Sequence, residues 1–375
     1  MVVACAVAAA AWPARKPVAT SNTPPVPAKP TADQQWTLAT LLALQPHQFA
    51  GTDIAQMNLL CAEGLRGSEA LDADKALDRI DDMATRVRVE TERNLHRFHE
   101  KPGEYNNSEP YFRMLALATV LQQDFGIRYN PQRVTPVGVF EPNDRFFADS
   151  RDVFLHGLTG QPGMGTCSSL PVLYVAVGRR LRYPLSLVTA KGHLFLRWQD
   201  QKERLNVEAA SLGMNSHDDS HYRKWPYPFT DEEEREDGYL QNLTPAEEFA
   251  VFLTIRGACL MSAGRLDESI AAYEHAARIA PEMRLQKLIL SAAKSDAARR
   301  RQPKFPGIGM PPDPSLWNDP PEIAWMLWEQ QQAQRRQDRL LPNGMPDPVP
   351  RVPLPFPGQP LPGRNQALPF PPHAR

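Results

Sequence analysis

Cysteine is scarce: the four in the chain, Cys5, Cys61, Cys167 and Cys259, include no pair at two-residue spacing. That excludes a disulfide framework and a zinc finger, and each thiol has to be judged alone. Charge of one sign is missing as well. Lys and Arg number 42 against 43 Asp and Glu, a net charge of -1 over 375 residues, and no Lys/Arg cluster is interleaved with aromatics. No field draws in a phosphate backbone, and no nucleic-acid partner is expected. Nor does any apolar run reach the eighteen or so residues of a membrane span, so none is expected. His96 and His99 have no further ligand at metal spacing nearby and read as solvated. His217-Asp218-Asp219-Ser220-His221 spaces two histidines as a helix would to share one ion, but the segment is Asn/Ser/Asp-rich and reads as a solvated turn. No metal and no cofactor is expected.

Proline is abundant. The 38 prolines crowd into the two ends, which marks the ends as poor folding material. Residues 2–12 are signal-like in length and in their alanines, yet lack a basic n-region, which leaves the compartment open between cytoplasm and export. Residues 13–30 read as an extended linker, so 1–32 forms a leader. From Asp33 apolar residues recur at helical spacing over 38–44, 54–65, 77–98 and 111–125. Ile80, Ala84, Val87, Thr91, Leu95 and Phe98 line one face of the third, and a start signal at Asn107-Ser108-Glu109-Pro110 opens the fourth.

The stretch 163–210 has a different pattern: a Gly-rich loop, a helix from about 167 to 181, and three short strands over 185–189, 193–198 and 204–209. Arg179, Arg180 and Arg182 suit the negative end of that helix. Residues 213–242, with the acidic run 231–237, read as a surface excursion. Over 250–281, Leu253, Gly257, Leu260, Tyr273, Ala276 and Pro281 fall at the offsets of one 34-residue tetratricopeptide repeat, with a helix near 282–297 to cap it. Beyond 301 the chain is Pro/Gly/Arg/Gln-rich, broken by a helix-like run near 320–340 with Trp325 and Trp328; 342–375 reads as disordered. The division expected is therefore 1–32, 33–242, 243–300 and 301–375.

Chemistry concentrates in the second of these. A cysteine where a Gly-rich loop feeds a helix meets unpaired N–H groups and the positive end of the dipole, conditions that activate a thiol. Cys167 holds that position, and Pro171 pins the helix start nearby because proline is tolerated only in the first turn. The bland alternative is a packed core cysteine. A nucleophilic thiolate also needs an imidazole to exchange protons with it, and His193 opens the middle strand. If the next turn closes around Asp200-Gln201, with Gln199 facing Lys202, His193 lies opposite Glu208 with Cβ atoms roughly 5 Å apart. A register two residues away puts Asn206 there instead, so Asn206 is the second candidate for orienting the ring. Glu208 is preferred, because a carboxylate also stabilises the imidazolium. For the oxyanion, the Cys167 N–H is one donor, and Gln161 a second.

The block Gly165-Thr166-Cys167-Ser168-Ser169, the helix ending Arg179-Arg180-Leu181, the strand Gly192-His193-Leu194-Phe195-Leu196-Arg197-Trp198 and the run Leu205-Asn206-Val207-Glu208-Ala209 resemble the transglutaminase-like superfamily. More narrowly, they resemble its bacterial branch that carries tetratricopeptide repeats after the core. The likeness spans 33–297 in order of modules. It implies an α+β fold: a papain-like core with a nucleophile helix on a small antiparallel sheet, a helical lead-in and an all-α repeat module behind. It implies a papain-like Cys–His–acid site for amide hydrolysis or acyl transfer, with Cys167 as nucleophile, His193 as base and Glu208 in the acid position, acting on a peptide or protein amide. The family's acid strand usually ends Asp-Pro-Thr, where this one has Glu208-Ala209-Ala210. The competing expectation is an inactive core serving as an interaction scaffold, with the repeat module recruiting a protein partner.

Overall fold

Asp53, Asp72, Ser108 and Thr244 each turn a side-chain oxygen onto an N–H of the turn that follows, and a helix begins after each of them. The protein, as a computed structural model, is described over residues 36–133, 146–210 and 214–301, with Trp328 alone beyond them. The leader, the 342–375 tail and most of the 320–340 run lie outside these residues. The lead-in is α1 (Leu38–Leu42), α2 (Ile54–Ala62), α3 (Ala73–Glu100) and α4 (Glu109–Gln123). On α3, Ile80, Ala84, Val87 and Thr91 are buried while the charged face is not, as amphipathic spacing dictates. His96 and His99 are exposed.

Next come β1 (Arg128–Tyr129), α5 (Ser150–Val153), α6 (His156–Thr159), β2 (Met164–Gly165) and α7 (Leu170–Arg180). Strands β1 and β2 pair in parallel. Strands β3 (Leu185–Ala190), β4 (His193–Gln199) and β5 (Arg204–Val207) form an antiparallel sheet in that order. Alternation along β4 serves two cores. Leu194, Leu196 and Trp198 join the large cluster that includes α7, whereas Phe195 joins Val188, Ala190, Tyr222, Tyr239 and Leu240 in a smaller one.

The segment expected as a surface excursion thus supplies half of that second core. It contains α8 (Asp219–Tyr222) and α9 (Asp231–Asp237). The acids of α9 are largely paired, Glu233 with Lys191 and both Asp231 and Glu234 with Arg223. The chain ends its described part with α10 (Pro245–Ser262), α11 (Leu266–Ile279) and α12 (Arg284–Arg301). The expected boundary at 242/243 brings no break in the core, because one cluster runs from Leu41 to Met283. Phe249 of α10 packs on Phe49 at 5.0 Å. Beside it Glu248, fully buried, takes two hydrogen bonds from Arg179 at 2.8 and 2.6 Å. The arginines at the end of α7 do more than suit its dipole: they tie the helix to α10 and, through Arg180, to Asp53. The architecture is α+β, dominated by helix, and no described helix is long and apolar enough to cross a membrane.

Candidate active site

Two hydroxyls build the turn that presents the cysteine. Thr166 Oγ1 and Ser169 Oγ both donate to the Asp152 carbonyl, at 3.0 and 3.1 Å, and Ser169 Oγ accepts the Thr166 N–H. Gly165 must be glycine, since a Cβ there would lie 2.4 Å from Ser169 Oγ. Helix α7 starts only at Leu170, with Pro171 in its first turn. Cys167 therefore sits on the turn before the helix, a correction to its expected place at the helical tip: the Thr166 carbonyl receives the Ser169 and Leu170 N–H groups and closes a separate turn first. The thiol is half-buried. The Cys167 N–H bonds to no described group, which leaves it available to an oxyanion.

The sheet brings the other two residues together by a different register from the expected one. Asp200 Oδ1 accepts the N–H groups of Lys202 and Glu203, at 2.7 and 2.8 Å, so the turn centres on Gln201-Lys202, one residue later than predicted. Gln199 then faces Arg204, Arg197 faces Asn206 and Leu196 faces Val207. Moving the turn by one residue slides the ladder by two, which keeps every side chain on its face. Glu208 now lies diagonal to His193 rather than opposite, a span long side chains cover. His193 Nε2 and Glu208 Oε2 are 2.7 Å apart, both side chains nearly sealed from solvent. Glu208 Oε1 accepts the Ala210 N–H at 2.9 Å. With Nε2 so engaged, Nδ1 is the ring nitrogen left for Cys167.

Burial works against charge on His193, but hydrogen bonds to Cys167 and Glu208 outweigh it and push the imidazole up to about 10. The ring is also packed, edge-on to Trp225 at 4.6 Å and stacked with Tyr222 at 6.1 Å. The other two described cysteines differ. Burial pushes the thiol of Cys61 far up and that of Cys259 up to about 12, as expected of cysteines packed in a core.

Asn206 does not orient the imidazole. Its Oδ1 accepts from Arg197 Nε at 2.7 Å, and its Nδ2 donates to the His217 carbonyl and to Asp219. Gln161 is exposed and lines an open cavity of ≈ 750 Å³ between α3 and the α5–α6 region, with His156 and Asp152; neither Cys167, His193 nor Glu208 is among its lining residues. His217 and His221 stack with centroids 4.1 Å apart, and among the described residues no three His, Cys, Asp or Glu gather as metal ligands. Sequence reasoning missed Tyr222, Trp225 and Arg197. Their signal was present: aromatic residues inside a polar stretch, and an arginine at an inward-facing strand position.

Comparisons with models of protein families, with curated proteins and with solved structures give no match to this chain.

Proposed function

We propose that this protein is a cysteine-dependent amide hydrolase or acyl transferase of the transglutaminase-like kind. The observation that carries the reading is the 2.7 Å contact between His193 and a sealed Glu208, on a ring whose protonation is also favoured by the neighbouring Cys167. In the forward step the Cys167 sulfur bonds to the amide carbon, and the tetrahedral intermediate collapses as the C–N bond breaks. His193, having taken the thiol proton, returns it to the leaving amine. Water then attacks the thioester, giving one proton to His193, and Cys167 departs as thiolate to recover that proton. Glu208 fixes the tautomer and stabilises the imidazolium. Hydrolysis is the simpler outcome; an amine in place of water gives transfer.

The finer fold reading has two supports. The Cys167 turn leads straight into α7, which packs against β3 and β4, as in a papain-like core. In the pair α10–α11, a Cβ at Gly257 would meet the Tyr273 ring at 2.6 Å, the small-to-large contact that a tetratricopeptide repeat uses. Replacing Cys167 with Ala is expected to abolish the iodoacetamide labelling at neutral pH that peptide mass assigns to the three described cysteines. Labelling that persists unchanged, on Cys61 or Cys259, removes the proposal.

A further inference from the structure

The segment after β5 places an aromatic side chain over the site that neither strand could supply. Tyr222, the last residue of α8, is fully buried. Its ring lies on Phe195 with centroids 3.8 Å apart and planes within 2°. Continuing the β4–β5 register sets Phe195 level with Glu208, so a ring stacked there carries its hydroxyl toward the carboxylate. That hydroxyl is closed off from solvent and makes no close hydrogen bond to any described group. A sealed O–H left unpaired is costly, and a small approach to a carboxylate recovers that cost. Burial first, and then the charge of Glu208, push the phenol well above its ordinary value.

Resting on the cysteine reading above, we infer that Tyr222 is a positioning residue of the same site, its O–H supplying a further donor that keeps Glu208 aimed at His193 Nε2. The other ionisable groups facing Glu208 do not fill this role. His193 of β4 takes Oε2. Tyr174 of α7 accepts from Gln122 Nε2 at 3.4 Å and senses Glu208 through its charge alone. His221 of α8 is held below its usual range by burial, with His217 and His193 adding to that and Glu208 opposing it, and its ring stacks on His217 instead. Arg197 and Asp219, which also face Tyr222, are bonded to each other at 2.8 Å.

The test follows iodoacetamide alkylation of Cys167 in the full chain, by mass of the Cys167 peptide, from about pH 5 to about pH 9. A carboxylate that loses a donor protonates more readily, and a shift of one unit changes the rate on the acid limb about tenfold. Tyr222→Phe keeps the ring stack, so alkylation is expected to be unchanged near pH 9 and about tenfold slower near pH 5. A second variant, 3-fluorotyrosine at position 222, is a stronger donor on the same ring and moves the acid limb the opposite way. Profiles of both variants that superimpose on the wild type overturn the inference. His193→Ala, run alongside, separates the failures: if it slows alkylation while the Tyr222 variants do not, only the role of Tyr222 falls. If it too changes nothing, the cysteine reading falls with it.

Discussion

His193 and Arg197 lie on one face of β4, both buried, and they are used in opposite ways. Every donor group of Arg197 is occupied: Nε by Asn206, one terminal nitrogen by the Leu240 carbonyl and Asn242, the other by Asp219. Burial presses this guanidinium down to about 10, with Asp219 opposing, so it stays charged at neutral pH. His193 has one nitrogen held by Glu208, and its other charge-favouring neighbour is the half-buried thiol of Cys167. A saturated network fixes structure, because each partner removed leaves a buried group unpaired. A network with one open member, and a group that changes protonation, can move a proton. The two lie a few residues apart because Arg197, through Asp219, anchors α8, and α8 lays Tyr222 over Phe195 and the imidazole.

The sharpest way to break this contrast is to remove each residue in turn. His193→Ala is expected to slow Cys167 alkylation at neutral pH by about 10²–10⁴-fold, the usual share of a general base, and also to lower the unfolding free energy, since the sealed Glu208 loses its partner. Arg197→Met is expected to act on stability alone, costing about 1–3 kcal/mol in urea unfolding for each buried acceptor it leaves unpaired at Asn206 Oδ1 and the Leu240 carbonyl, with folded protein alkylated at the wild-type rate. Equal effects of the two on both readouts would erase the distinction. A smaller effect concerns pH. The imidazole is raised from an ordinary value near 6.5 to about 10 in the folded protein. The stability it contributes is therefore complete below about pH 6.5 and is lost as pH climbs toward about 10. His193→Gln should flatten that part of the unfolding midpoint's pH dependence, while Arg197→Met should leave its slope intact.

Much of the arrangement is legible in the residues. The periodicity over 77–98 predicts the buried stripe of α3, and the three strand runs match β3, β4 and β5 to within two residues at their ends. The pairing of His193 with Glu208 was predicted through the wrong register, and it still forms because a two-residue slip preserves faces and a glutamate reaches the diagonal. The turn itself was readable: Asp200 has the short acceptor that folds back on following N–H groups, the habit of aspartate in turns. What the sequence concealed was long-range. Nothing near Asn206 announces that Arg197 will claim its amide, and hydropathy over 213–242 averages away the few apolar residues that seal the second core. The Cys167 turn depends on the Asp152 carbonyl, a backbone group with no sequence signature at all.

The central claim is that Glu208 acts on Cys167 through His193, and a double-mutant cycle measures that directly. With Cys167 alkylation at neutral pH as the readout, Glu208→Gln is expected to slow the wild-type reaction about tenfold or more and to have no further effect in the His193→Ala background. An equal slowing in both backgrounds would contradict the account.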